Sequence, residues 1–406
     1  MASSNRGLSS KRIEIIDALR GFSLAGIVIV HLVENYISAA LPESFNNAVH
    51  VGVADYIVDG IIVFLLRGKF FALFSFLFGL SFFIQMDNAN KKGRYFGSRF
   101  VWRLLLLMAI GFLHSLFYRG DILTVYAMLG IFLVPFYRIS NKWILAVVVL
   151  LFLGLGRFVF FYFTKGVQLF GNTGLTPNAP ELIAYYDILK NGSLFEVFAT
   201  NATEGHLNKL DFQFGIFGRG YLTFGFFLLG LLIGRIRLFE SFRERPKFLK
   251  RILLWSIAVF FVSIVLTGLA FISLGEVVTF DSWIAMLALT AVDLNNIAMT
   301  FIIVCLFFMF YKKTKSGKWL SSFAPYGRMA LTNYFFQTVL GTFLLYGWGL
   351  GLIGELRNLY TFGMAFLIIA VQMWASKWWL KKFAYGPLEW LWRSATFFKW
   401  HPLDRR

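Results

Sequence analysis

Apolar residues run along this chain in stretches of about 20, long enough for a helix to cross a hydrocarbon core. They lie near 18–38, 69–86, 100–117, 122–138, 143–164, 214–235, 251–272, 283–311, 329–350 and 358–378. The pattern predicts an all-α, polytopic helical membrane protein with about ten transmembrane helices. The stretch 50–66 is apolar too, but Asp55 and Asp59 interrupt it, so it reads as a re-entrant or interfacial helix leading into the second span. One long connection, 165–213, opens near the turn-forming TPNAP. It continues as ELIAYYDILKNGSLFEVFATNATEG, with the alternation of an amphipathic helix that caps a cavity or lies on the membrane.

Charge in the connections orients the spans. Lys11 and Arg12 precede the first, and KKGRYFGSR, YRISNK, RIRLFESFRERPKFLKR, YKKTKSGK and KWWLKK follow alternate ones, while the opposite connections carry few positive charges. Basic residues accumulate on the cytoplasmic side, which predicts both termini there. On this reading residues 1–394 form a single multipass membrane domain and 395–406 a basic cytoplasmic tail.

Composition agrees. Hydrophobic residues make up 58% and charged residues 15% of the 406, whereas a soluble domain carries about 25% charged residues. An ordinary soluble enzyme is excluded. The net charge of +18 is accounted for by the basic connections, so nucleic acid is not an expected partner. The single cysteine, Cys305, lies in the apolar run FIIVCLFFMF, where a thiol is inert and has no disulfide mate.

Ionisable groups are expensive at membrane depth and persist where they face a cavity or a partner. The first span, IIDALRGFSLAGIVIVHLVENY, is the richest in them, with Asp17, Arg20, His31 and Glu34. Arg20 and His31 are eleven residues apart, about three turns, so they share a helix face roughly 16 Å apart. Glu34 follows His31 at i+3, within reach of the imidazole. Arg67 and Lys69 open the second span. His114 precedes the tight outer turn that holds Arg119 and Asp121, and these last two have each other as a ready ion-pair alternative. Arg157, Arg219, Asp293, Arg328 and Asn333 complete the set, with Asn333 suited to helix–helix hydrogen bonding. No spacing of His, Cys or acidic residues matches a metal site.

The segments RIEIIDALRGFSLAGIVIVH, RGKFFALFSFLFG, YRGDILTVYAMLG, YGRMALTNYFFQ and GPLEWLWR, in this order, resemble the YeiB-like family of multipass bacterial inner-membrane proteins. Through the spacing of Arg20 and His31, the chain is also similar, more distantly, to the transmembrane acyltransferases, namely the acyltransferase-three and heparan-α-glucosaminide N-acetyltransferase proteins. That resemblance implies acyl-coenzyme A as a cytoplasmic co-substrate and an extracytoplasmic hydroxyl or amine, on a glycan or small metabolite, as acceptor. It implies His31 as base, oriented by Glu34 or Asp121. Arg20, Arg67 and Lys69 would hold the donor's phosphates, and Arg119 or Asn333 the oxyanion. The expected partners are the lipid bilayer, the donor and the acceptor, with a homodimer as the candidate assembly. A transporter of an anionic or amphipathic molecule, using Arg157 and Asp293 as its pathway, is the alternative.

Overall fold

The computed structural model describes residues 2–40, 42–93, 95–170, 178–241, 245–275 and 279–404. Part of the 165–213 connection, including Thr176 and Pro177 of TPNAP, lies outside the described residues, as do residues 242–244. Among those described, the chain is helical, apart from one isolated bridge between Phe383 and Asp404.

The first helix, α1 (Ala2–Val33), carries its apolar span from Glu14. Short α2 (Glu43–Val49) and α3 (Val53–Ile61) follow, and a π-turn over Ile62–Leu66 joins α3 to α4 (Lys69–Asn90). Gly68 sits at φ +82° at this junction, a conformation that glycine adopts without strain. The helix within 50–66 thus leads directly into α4, and Val53–Asn90 count together as one apolar stretch interrupted at Arg67 and Gly68.

The next elements are α5 (Gly97–Phe117), α6 (Leu123–Phe136), α7 (Asn141–Phe152) and α8 (Leu155–Thr164). The long connection contains α9 (Pro180–Asn191), α10 (Leu194–Ala202) and α11 (Glu204–Phe214), the last leading into α12 (Arg219–Arg235). Ser193 and Glu196 close a reciprocal capping box at the start of α10, which explains why that helix begins where it does. The chain ends with α13 (Leu238–Ser241), α14 (Pro246–Leu274), α15 (Trp283–Tyr311), α16 (Thr314–Ser321), α17 (Ala324–Arg328), α18 (Ala330–Leu345), α19 (Asn358–Lys382) and α20 (Pro387–Phe397).

Six of these helices are long and apolar enough to cross a membrane, and eight segments are if each of two bent pairs counts as one span. The expected ten is thus corrected to six to eight. The shortfall lies in α6, with 14 residues, and α18, with 16. At about 1.5 Å per residue neither reaches the roughly 30 Å of a hydrocarbon core. The bent pairs are α7 with α8, at 54°, and α11 with α12, at 63°. Several apolar helices of this length make the chain a membrane protein.

Close backbone approaches fix the centre of the bundle. A Cβ on Gly327 of α17 would lie 1.9 Å from the Asp17 carbonyl oxygen of α1. One on Gly79 of α4 would lie 2.0 Å from the Phe227 carbonyl oxygen of α12. Small residues let membrane helices meet at such distances, and the first contact sets Arg20 beside Arg328. The last residues fold back on the bundle: Ala384 N–H donates to Leu403 O at 2.8 Å, and Trp390 Nε1 to His401 O at 2.7 Å.

Candidate functional site

Arg20 and its neighbours define one end of the bundle. The Arg20 guanidinium donates to Asp17 Oδ1 at 2.7 Å on its own helix and to Ser81 Oγ at 3.1 Å on α4. Beside it opens a cavity of about 340 Å³ lined by four arginines, Arg20, Arg103, Arg328 and Arg393, with Glu389 as the one carboxylate in its wall. Four guanidiniums, one of them paired with Asp17, stand beside a single wall carboxylate and leave an excess of positive charge that suits an anion. Arginine is the residue whose planar fork matches phosphate oxygens in pairs.

Four helices, α1, α5, α17 and α20, hold these groups. Arg103 at the start of α5 lies over the Trp392 ring at 3.8 Å, and Trp392 Nε1 donates to the Arg103 carbonyl at 2.8 Å, so α20 is clamped to α5. Arg393, one residue on, leaves its Nε buried with no protein partner. Glu389 accepts from Leu331 N at 2.7 Å, Thr332 N at 3.0 Å and the Thr332 hydroxyl, and so caps the first turn of α18. Burial raises the Glu389 carboxyl above the ordinary glutamate range, against the opposing pull of those donors.

Away from the arginines the walls turn apolar, with Phe74, Leu77, Phe78, Leu104 and Leu107, and the cavity ends at Tyr126 and Tyr334. Tyr334 also borders the two histidines: its ring stacks on His114 at 4.7 Å and lies 6.3 Å from His31. His31 itself is not in the cavity wall. It sits one layer beyond, between the rings of Tyr118 at 5.0 Å and Tyr36 at 5.3 Å, and its Nδ1 is buried without a protein partner. The Tyr334 hydroxyl and both amide atoms of Gln337 in this layer are likewise unpartnered. Buried polar atoms are ordinarily satisfied, so these atoms are candidates to meet a ligand.

The carboxylate expected to orient His31 serves elsewhere. Glu34 accepts from Arg67 Nε at 2.6 Å. Asp121 lies 2.9 Å from His114 Nδ1, a close but poorly aligned contact, and 3.9 Å from Lys209 Nζ. Asp121 also accepts from the backbone of Leu123 and Thr124, which places it firmly at the start of α6. His114 Nε2 faces Thr338 Oγ1 at 2.9 Å.

Arg67 and Lys69 do not join Arg20. Arg67 reaches Glu34, whereas Arg20 reaches Ser81, twelve residues further along α4 than Lys69. At about 1.5 Å per residue they stand roughly 18 Å apart along the axis, at opposite ends of the bundle. Lys69 is buried and donates to the Val63 carbonyl at 2.7 Å, which satisfies the π-turn.

The remaining charged residues are braces. Arg157 donates to Thr290 Oγ1 at 2.7 Å, to the Phe217 carbonyl at 2.9 Å, and to Ile216 O and Asp293 Oδ2. It thereby ties the bends of both broken helix pairs to α15, with Arg219 3.9 Å from Asp293. Arg119 lies over the Tyr185 ring at 4.0 Å and donates to Ser38 O, outside the histidine layer. Asn333 donates to Tyr326 O and Ser376 Oγ and joins α18 to α19, the interhelical role its residue type suggests. Arg103, Gln85, Glu389 and Arg393 are cavity residues beyond those singled out by sequence. The i, i+4 spacing of Glu389 and Arg393 in GPLEWLWR is the signal that puts them on one helix face. Among the described residues, no group of His, Cys, Asp and Glu has the arrangement of a metal site.

Comparison with known proteins places this architecture. Residues 233–399 match the model of a protein family of unknown function, DUF418. The uncharacterized protein YxaH of Bacillus subtilis is 32% identical over an alignment covering 100% of this chain and 99% of that protein. An uncharacterized 39.9 kDa protein encoded in an amylase 3′ region of Bacillus acidopullulyticus is 28% identical, covering 97% and 96%. The uncharacterized protein YeiB of Escherichia coli is 28% identical, covering 81% of each chain. With full-length similarity of this kind, the chain belongs to the DUF418 family of YeiB-like bacterial proteins.

Proposed function

We propose that the protein is a membrane acyltransferase of the bacterial inner membrane, with its termini and the arginine-lined cavity on the cytoplasmic side. The observation that carries this reading is the cavity itself. Its charged mouth and apolar depth fit an amphipathic anion with phosphates at one end and an acyl chain at the other, as in acyl-coenzyme A. Its inner end is Tyr334, the ring that borders both imidazoles.

On this reading Arg20, Arg103, Arg328 and Arg393 hold the phosphates by charge-assisted hydrogen bonds. The thioester lies along Phe74, Phe78 and Leu107, and Tyr334 turns aside to admit its carbonyl to the histidine layer. His31, whose Nδ1 has no protein partner, takes the proton of an acceptor hydroxyl or amine entering from the far side. General base catalysis by a positioned imidazole contributes about 10²–10⁴ in rate. The test is transfer of radiolabelled acetyl and palmitoyl groups from their coenzyme A thioesters in proteoliposomes. His31→Ala is expected to lose about 10²–10⁴-fold in rate with its thermal unfolding unchanged. Wild-type turnover in that variant would remove the assignment.

A second reading, export of an amphipathic anion, has one feature in its favour: the two bent helix pairs that meet at Arg157. Discontinuous helices surround the substrate sites of many transporters. Vesicle efflux of a substrate without chemical change, lost in Asp293→Asn, is the outcome that favours it.

A further inference from the structure

Thr338, His114 and Asp121 form a contiguous row, with the His114–Asp121 contact close but poorly aligned. His114 Nε2 is 2.9 Å from the Thr338 hydroxyl, and its Nδ1 is 2.9 Å from Asp121 Oδ1. All three are fully buried, and they come from α18, α5 and the α5–α6 turn. A carboxylate beside Nδ1 favours the tautomer with its proton on that nitrogen, leaving Nε2 as an acceptor for the hydroxyl. The Thr338 hydroxyl also meets the Tyr334 carbonyl of its own helix, at 3.3 Å, and the Tyr36 hydroxyl. The imidazole is nearer than that carbonyl.

This line adjoins the cavity through a single side chain. The His114 ring stacks on Tyr334, which is part of the cavity wall, and Thr338 lies one helical turn beyond Tyr334 on α18. Gln337, next to Thr338 in sequence, has both side-chain amide atoms buried and unpartnered, as is the Tyr334 hydroxyl. A nucleophile with an oriented base needs donors for the oxyanion that forms beside it. Gln337 Nε2 is such a donor without a protein partner, and the Tyr334 hydroxyl, beside the Ile122 backbone, is a second. Lys209, 3.9 Å from Asp121, supports the charged carboxylate.

We propose that Thr338 is a nucleophile activated by the His114–Asp121 pair, and that the acyl group rests on Thr338 Oγ1 as an ester between donor and acceptor. The proposal rests on the acyltransferase reading. In the first half, Oγ1 bonds to the thioester carbonyl carbon and its proton passes to His114 Nε2. The C–S bond breaks, and the thiolate leaves among the arginines to be protonated by water. In the second half, the acceptor hydroxyl gives its proton to His31 and its oxygen bonds to the ester carbon. The bond to Oγ1 breaks, Oγ1 regains the proton held on His114, and His31 releases its proton to water. Each imidazole ends neutral, and no oxidant or reductant is needed.

The experiment uses the full-length protein in detergent, incubated with [¹⁴C]acetyl-coenzyme A without acceptor, quenched in acid, digested and mapped by mass spectrometry. The expected result is an acetyl adduct on Thr338, discharged when a competent acceptor is added. Thr338→Ser keeps it, Thr338→Val lacks it, and His114→Gln forms it about 10²–10⁴-fold more slowly. Acyl transfer at the wild-type rate by Thr338→Val, or wild-type turnover with the adduct absent or on another residue, overturns the covalent step while the acyltransferase reading stands. Absence of turnover and of any adduct with both acetyl- and palmitoyl-coenzyme A overturns the two together. The wild-type map decides the matter even where Thr338→Val does not accumulate folded.

Discussion

Replacing Arg157 by Met separates a structural clip from a transport pathway. The guanidinium is 3% exposed and donates to Thr290, to the Ile216 and Phe217 carbonyls, and to Asp293. Met fills similar volume without a donor. Among the described residues it leaves Asp293 with Arg219, 3.9 Å away, and it strips the carbonyls at the α11–α12 bend of their Arg157 partner. Breaking one side of a buried ion pair costs about 3–5 kcal/mol. The orphaned carbonyls belong to the same network, so their cost does not simply add. At about 2 °C per kcal/mol, the low end for large domains, the melting temperature falls by roughly 6–10 °C. Tryptophan fluorescence of the detergent-solubilised protein during heating reads this directly. The double variant Arg157→Met with Asp293→Leu removes the uncompensated charge and is expected to recover about half of the loss, because apolar replacement of a whole buried pair is often close to neutral. An Arg157→Met protein of wild-type stability, with activity alone abolished, would refute the clip and return this cluster to the substrate path.

Other perturbations follow from the same packing and electrostatics. Gly327→Leu forces side-chain atoms onto the Asp17 carbonyl, and folded yield by size-exclusion chromatography is expected to collapse. Gly268→Ala on α14, with no atom within 4 Å of the added methyl, is expected to stabilise by about 0.8–1 kcal/mol through helix propensity, seen as a small rise in melting temperature. Glu389 has a folded-state pKa above its unfolded value, so its contribution is greatest below the ordinary glutamate range and declines as pH rises through the raised value. Thermal unfolding of Glu389→Gln between pH 4 and 8 is therefore expected to show a shallower decline toward alkaline pH than the wild type; an identical slope contradicts the raised pKa.

The class of the fold is plain in the apolar runs, because a bilayer imposes length and composition on every spanning helix at once. α14 and α15 follow almost directly from the pattern. The count does not, since α6 and α18 are apolar yet short, and an apolar run does not say where its helix bends or stops. The site divides in the same way. Arg20 and Arg328 attract attention as charges at span ends, and they line one cavity. Arg103 and Arg393 look like ordinary basic residues of a cytoplasmic edge until α20 folds under α5. Arg67 stands close to Lys69 in sequence, but the π-turn and Gly68 aim it at Glu34, at the end of the bundle away from Arg20. The His114–Asp121 contact is legible as a seven-residue spacing across a turn. The Thr338 partner, 224 residues from His114, is not, because only the packing of α18 on α5 brings it there.

The central claim is that the four-arginine cavity binds a phosphate-bearing acyl donor whose carbonyl end lies at Tyr334. A cryo-electron microscopy map of the protein with a non-hydrolysable thioether analogue of acetyl-coenzyme A tests this most directly. The account predicts phosphate density among Arg20, Arg103, Arg328 and Arg393, the acyl end against a displaced Tyr334 ring, and loss of that density in Arg103→Gln/Arg393→Gln. An unchanged Tyr334 and a cavity devoid of ligand at saturating analogue, or density at the Arg157 cluster instead, would contradict it.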